Sequence, residues 1–256
     1  MSGSKEYHFK IGPADFENAQ ISAAQDRIDP LTPETLFSNL LFCSLSRGER
    51  DSKQRRVFQK FVDFGLTAPL EIIDRMPDVY TAIAPKRWPT ASADMVFNLA
   101  VWWQYQTDIA QRIITDIEQN NRQNEFELRN ELANSPNTGV AFKCASLFLG
   151  NCGYEHVAPI DIHIQRFVTG FIRDYPELEL NVPPYKTDYK KSGGFWYKPY
   201  FAWETVFQAI ASHFQVTPYV LHRAVWTKAS TWTAPAPQLE FDQLANLPRV
   251  LPTSHD

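Results

Sequence analysis

Asn137-Thr-Gly-Val-Ala-Phe-Lys-Cys-Ala-Ser-Leu-Phe-Leu-Gly-Asn-Cys-Gly-Tyr-Glu-His-Val-Ala-Pro-Ile-Asp-Ile-His-Ile-Gln-Arg166 reads as a turn, a short apolar helix, a loop, and a second helix that opens on an aspartate. Gly139 ends the turn, and a residue without a Cβ lets other groups approach its backbone closely. Lys143 falls in the first turn of a helix whose apolar positions are Val140, Ala145, Leu147, Phe148 and Leu149. A lysine at such a helix start is a candidate nucleophile, since a neutral amine can attack a carbon. The helix climbs about 1.5 Å per residue and the loop Asn151 to Pro159 spans up to about 3.3 Å per residue, so the chain is long enough to return and Asp161 is expected beside Lys143. An amine and a carboxylate in one pocket suit a reaction that needs a nucleophile together with a group that shuttles its protons or stabilises a cation.

Gly139-Val-Ala-Phe-Lys-Cys-Ala145, followed by Ala158-Pro-Ile-Asp-Ile-His163, resembles the helix-hairpin-helix DNA glycosylases that carry a catalytic lysine and aspartate. The segment Ala145 to Arg166 is most similar to the 8-oxoguanine DNA glycosylase/AP lyase branch, and weaker similarity extends over roughly residues 30 to 230. The resemblance implies an all-α protein in two helical lobes with the catalytic groove between them. The middle lobe is expected over about 32–155, with the hairpin at 127–150, and the second lobe combines the N-terminal segment with about 156–230. The resemblance also implies catalytic roles for Lys143 and Asp161, DNA contacts from Gly139, Ala141 and Arg166, and a base-stacking role for Trp226. Core packing is an equally good reading of Trp226. The hairpin amides are expected to cradle a phosphate, and its carbonyls to hold a monovalent cation, with no other cofactor required. The family turn carries two glycines around an aliphatic residue, whereas this chain has Gly139-Val140-Ala141, which alanine satisfies if its φ is negative.

Outward from this stretch, helical periodicity dominates. Thr32-Pro33-Glu34 is a helix start, and Leu36, Phe37, Leu40, Leu41 and Leu45 give the helix one apolar face. It runs out at Ser46 to Asp51. In the family the matching loop wedges a polar side chain into the gap left by the extruded base; here Gly48 holds that place, flanked by Arg47 and Arg50, which are the candidates to fill it. Lys53, Arg55, Arg56 and Lys60 follow, as phosphate contacts or simply a solvated helix face. Further helices are expected near Phe16 to Arg27, over Val57 to Val62, over Pro69 to Met76, in one long stretch from Ala93 to about Gln119, and from Glu127 to Ala133. Asn134 to Ala141 form the turn. Asp161 is also a natural N-cap for the helix bearing Ile164, Phe167, Val168, Phe171 and Ile172. His163 reads as a packing or supporting residue, since nothing nearby completes a metal site. Tyr175 to Lys198 reads as a loop mixing lysines with aromatics, suited to phosphates and unstacked bases or to ordinary surface anchoring. Two helices then carry Trp203, Val206, Phe207, Ile210 and Phe214, and Leu221, Ala224 and Val225.

The 256 residues are 44% hydrophobic, ample for a core. Three cysteines, Cys43, Cys144 and Cys152, suggest reduced thiols in a cytoplasmic protein and cannot supply an iron–sulfur cluster. No signal peptide or membrane span is legible, and a monomer acting on double-stranded DNA with a flipped base is expected. The net charge of −4 requires that any DNA-binding face be local. Residues 231–256, punctuated by Pro235, Pro237, Pro248 and Pro252, extend beyond the resemblance, with a composition that permits disorder. The implied function is a bifunctional glycosylase/AP lyase that excises an oxidised purine through a lysine Schiff base in base excision repair. Two alternatives stay open: a glycosylase-fold protein acting on another modified base in anti-phage defence, and a non-enzymatic DNA- or protein-binding module.

Overall fold

The computed structural model describes residues 7, 9–46, 51–86, 88–183 and 197–231. Among them the regular structure is helical, with no strand. The chain divides into two compact units, one formed by residues up to Asp26 together with those from Ile160 onward, the other by Arg27–Pro159.

The continuous unit contains α2 (Pro33–Ser44), α3 (Asp51–Asp63), α4 (Pro69–Asp74), α5 (Met76–Ile83), α6 (Pro89–Gln104), α7 (Thr107–Glu118), α8 (Glu125–Ala133) and α9 (Phe142–Cys152). Thr32 begins α2 as expected: its hydroxyl accepts from Thr35 N, Thr35 Oγ1 accepts from Thr32 N, and Pro33 fills the first helical position. Leu36, Phe37, Leu40 and Leu41 are then wholly buried and, with Phe148 and Leu149 of α9, belong to one apolar core. Each such side chain contributes roughly 1.5–3 kcal/mol by leaving water. Because α2 and α8 both pack on α9, the helix bearing Lys143 lies at the centre of this unit.

Several boundaries differ from the sequence-based expectation. The long stretch from Ala93 is two helices, because α6 ends at Gln104 and α7 starts again at Thr107. Tyr105 and Gln106 leave the helical path, and the Tyr105 side chain is 80% exposed, so the break costs the core nothing. A helix expected to end at Met76 instead gives way to α5, which begins there with Pro77 in its first turn. Val140 precedes α9 and belongs to the turn.

The discontinuous unit contains α1 (Pro13–Gln25), α10 (Ile162–Asp174), α11 (Tyr197–His213) and α12 (Pro218–Thr231), with a 3-10 turn at Pro176–Leu178. The helix α1 starts earlier than Phe16, because Pro13 opens it and Asp15 Oδ2 accepts from Gly12 N at 2.7 Å. The segment 175–198 is not one long loop: it contains that 3-10 turn, and α11 already includes Tyr197 and Lys198. In this unit α12 packs on α1, α10 and α11. Arg223 joins α12 to Ser22 and Asp26, while Lys228 reaches Asp15 Oδ2 at 2.8 Å and the carbonyl of Lys10. Among the described residues, no helix is long and apolar enough to cross a membrane.

Candidate active site

The turn between α8 and α9 is built from short polar side chains. Ser135 Oγ donates to Leu132 O at 2.6 Å and lies 2.6 Å from Thr138 Oγ1, which in turn accepts from Val140 N at 3.2 Å. These hydroxyls satisfy backbone groups that a buried turn would otherwise strand. Gly139 has φ +69°, and a Cβ there would sit 2.1 Å from Met95 Cε and 2.9 Å from Met95 Sδ. Gly139→Ala is therefore expected to lower unfolding free energy by about 1–3 kcal/mol, through left-handed strain and the displaced methionine. Chemical denaturation measures this, and Met95→Ala in the same chain should restore part of the loss but not the backbone share. Ala141 meets the condition that the hairpin set for it, with φ −109° and ψ 172° at the N-cap of α9. Its methyl cannot accept a hydrogen bond, so this helix start has no side-chain cap.

Lys143 is the second residue of α9. Within that helix only Lys143 and Leu147, one turn apart, keep part of their surface; the other residues are buried. Packing thus restricts this helix to one accessible stripe, and the lysine is at its N-terminal end. Beneath the preceding residue lies Arg129, 1% exposed, whose guanidinium carbon is 5.2 Å from the ring centroid of Phe142 and 5.5 Å from that of Phe126. Arg129 Nε donates to Asn130 Oδ1 at 2.8 Å. A buried arginine on two rings gives the start of α9 a rigid floor.

The segment that follows α9 is held to its own unit residue by residue. Tyr154 donates its hydroxyl to Asp116 Oδ2 at 3.2 Å, and burial followed by that carboxylate push its ionisation far up. Glu155 forms an ion pair with Arg122 at 3.4 Å and accepts from Arg27 at 3.5 Å. Glu125, 3% exposed, takes both the backbone amide of His156 at 3.1 Å and its Nδ1 at 2.7 Å. The hydrogen bond to Glu125 raises the His156 pKa, burial and Arg122 oppose it, and the charges of Glu125 and Glu155 add to it. A folded-state value above the ordinary 6.5 means the pair stabilises the fold fully below pH 6.5 and ceases to do so as pH rises through the raised value. The melting-temperature advantage of the wild type over His156→Asn should therefore be largest in mild acid and vanish in alkali. The histidine side chain is 61% exposed, so added salt should shrink that advantage.

Asp161 belongs to the other unit, as N-cap of α10 with φ −125° and ψ −174°. Its Oδ1 accepts from His163 N at 2.9 Å and Ile164 N at 3.1 Å, and the preceding amide, Ile160 N, donates to the Tyr200 hydroxyl at 3.3 Å. Backbone and side chain are thus both held, which fixes one carboxylate oxygen. Arg166 lies in the second turn of the same helix, its guanidinium carbon 5.8 Å from the Tyr7 ring centroid. Trp226 is half-buried on α12, one turn beyond the buried His222, which stacks on Tyr219 at 6.1 Å.

Lys143, Gly139 and Ala141 accordingly share one hairpin, while Asp161, Arg166 and Trp226 share the other unit. Arg47 and Arg50 lie outside the described residues, as do 184–196 and 232–256, which hold most of the lysine–aromatic segment and the C-terminal extension. Among the described residues, no group of three or more His, Cys, Asp or Glu side chains is arranged to hold a metal. Sequence reading missed Tyr7, whose hydroxyl lies 2.7 Å from His163 Nδ1, since nothing local links residues so far apart. It also missed Glu125 as the partner of His156, and Arg129 as the floor of α9.

Residues 20–178 match the family described as 8-oxoguanine DNA glycosylase. No curated protein matches the chain by sequence. In structure the chain is similar to the 8-oxoguanine DNA glycosylase of Methanocaldococcus jannaschii, at 17% identity over 86% of this chain and 85% of that one, with a TM-score of 0.55. At that identity the likeness bears on the fold alone, and there it agrees with the all-helical structure of the described residues. With more than half its length matched by the family, the chain belongs to the 8-oxoguanine DNA glycosylase family, in the helix-hairpin-helix superfamily of DNA glycosylases.

Proposed function

We propose that the protein is a bifunctional DNA glycosylase/AP lyase that removes an oxidised purine of the 8-oxoguanine kind from duplex DNA. The observation that carries this reading is Lys143 itself: a family member has an amine on the one accessible stripe of an otherwise buried helix, directly after the hairpin turn. In the reaction, the Lys143 amine forms a bond to the deoxyribose C1′ as the glycosidic bond breaks, and the base leaves with that electron pair and gains a proton. Loss of an amine proton with opening of the sugar ring gives the Schiff base. Removal of a C2′ proton then expels the 3′ phosphate by β-elimination. Asp161 supplies the negative charge that stabilises the cationic sugar, and its capped geometry supports this role because no reorganisation is needed when charge develops.

Gly139, Ala141 and Arg166 are the proposed backbone contacts, Arg47 and Arg50 the proposed fillers of the gap, and Trp226 the stacking partner of the extruded base. The uncapped start of α9 suits a phosphate oxygen. A monovalent cation at the hairpin would be met by turn carbonyls ahead of Ala141, whose own carbonyl accepts from Ala145 N at 2.9 Å. No step of the reaction passes through that ion.

Borohydride trapping tests the proposal, using duplexes that carry either 8-oxoguanine or an abasic site. A covalent adduct on both supports the full reading. An adduct on the abasic duplex alone keeps the lyase and assigns a different base, and no adduct on either rejects the Schiff base.

A further inference from the structure

Tyr7 lies outside the segment that matches the family, yet it is bonded to the face of α10 that carries Arg166. Its side chain is 4% exposed, and its amide donates to Arg166 O at 3.3 Å. Its carbonyl approaches α10 so closely that a Cβ on Gly170 would meet it at 2.1 Å, so a glycine is required for the segment to lie there. The phenol oxygen is 2.7 Å from His163 Nδ1, and the two rings stack at 5.9 Å, inclined by 10°. Arg166 Nη1 is 3.5 Å from the same oxygen, and its guanidinium carbon is 5.8 Å from the ring centroid. Phe9 stacks on Tyr7 at 5.3 Å and on Phe167 at 5.9 Å, which anchors the phenol on α10.

We propose that Tyr7 is a positioning residue for DNA binding: His163 and Phe9 fix its ring, and the ring in turn holds Arg166 in the rotamer that meets a backbone phosphodiester. An arginine side chain loses much rotamer freedom when it is fixed on a ligand, and a platform that restrains it beforehand removes part of that cost from binding. Arginine also favours such a platform because its flat, weakly hydrated cation is attracted to an aromatic face while its N–H edge remains able to donate. The inference rests on the DNA-contact role given to Arg166 above.

The experiment measures binding by fluorescence anisotropy to a duplex carrying a tetrahydrofuran abasic-site analogue, across a salt series. The proteins are the full-length wild type, Tyr7→Phe, Tyr7→Leu, Arg166→Ala and the Tyr7→Leu/Arg166→Ala double variant. Tyr7→Phe keeps the ring and should raise Kd about two- to threefold, while Tyr7→Leu loses the ring and should raise it about five- to tenfold. Once Arg166 is alanine, Tyr7→Leu should add less than about twofold, since the two residues act as one. The slope of log Kd against log salt should fall by about 0.9 in Arg166→Ala, and Tyr7→Leu should move toward the same value. Single-turnover cleavage at saturating enzyme should be unchanged in Tyr7→Phe, which separates positioning for binding from chemistry.

Equal weakening by Tyr7→Leu with and without Arg166 overturns the proposal, as does wild-type affinity in both Tyr7 variants. If Tyr7→Leu does not fold, the split between Kd and turnover in Tyr7→Phe decides. A wild type that does not bind the duplex overturns this inference and the DNA-contact role together, whereas binding without a borohydride adduct rejects only the Schiff base.

Discussion

Lys143→Ala is expected to slow both base release and strand cleavage by at least about a thousandfold, the scale on which loss of a nucleophile acts. The fold should survive, because Lys143 lies on the partly exposed stripe of α9 and is not among the core residues. Alanine is also the best helix former, so α9 itself does not suffer. The duplex Kd should change less than about threefold, since the lost interaction is made chiefly in the transition state. Single-turnover cleavage together with borohydride trapping checks this. Lys143→Arg is the control, since it keeps the cation but cannot form the imine; an adduct trapped by either variant would remove Lys143 from the mechanism.

Asp161 performs two functions that substitution can separate. Asparagine retains an oxygen able to accept from His163 N and Ile164 N, so Asp161→Asn should keep the N-cap and most of the stability. It loses the charge, and turnover should fall by about 10²–10⁴-fold. Asp161→Ala should match that loss in rate and in addition cost about 1 kcal/mol of stability. Denaturation and single-turnover rates on the same preparations give both quantities. An asparagine variant that turns over like the wild type would leave Asp161 as a cap alone.

The hairpin was legible because its signals are local. Gly139 occupies a left-handed conformation, Ala141 caps without a side chain, and the apolar run after Lys143 is a helix buried on nearly every side. The start of α2 was legible for the same reason, since Thr32, Pro33 and Thr35 speak only to one another and to the backbone. The break at Tyr105 was not, because the apolar period runs through it and no glycine or proline marks it; only the packing of α7 as a separate helix explains it. The supports of the candidate site were illegible on different grounds. Tyr7 with His163, Glu125 with His156, and Arg129 beneath Phe142 are each joined by folding across a distance that no spacing rule covers. Residue type hinted at what could react, and tertiary structure supplied what holds it.

The division of the chain has a consequence for how it is made. The unit of residues 27–159 is one uninterrupted stretch and can collect its core as soon as the segment after α9, with Tyr154 and Val157, has been synthesised. By contrast α1 must wait for α12, the helix it packs on and to which Asp15, Ser22 and Asp26 are bonded, so its apolar positions Phe16 and Ala19 are without their final cover through most of translation. Contacts this distant in sequence close late, after the local ones. A ribosome stalled before Pro218 would therefore hold a chain whose hairpin and Lys143 are in place while the unit containing Asp161 is still incomplete.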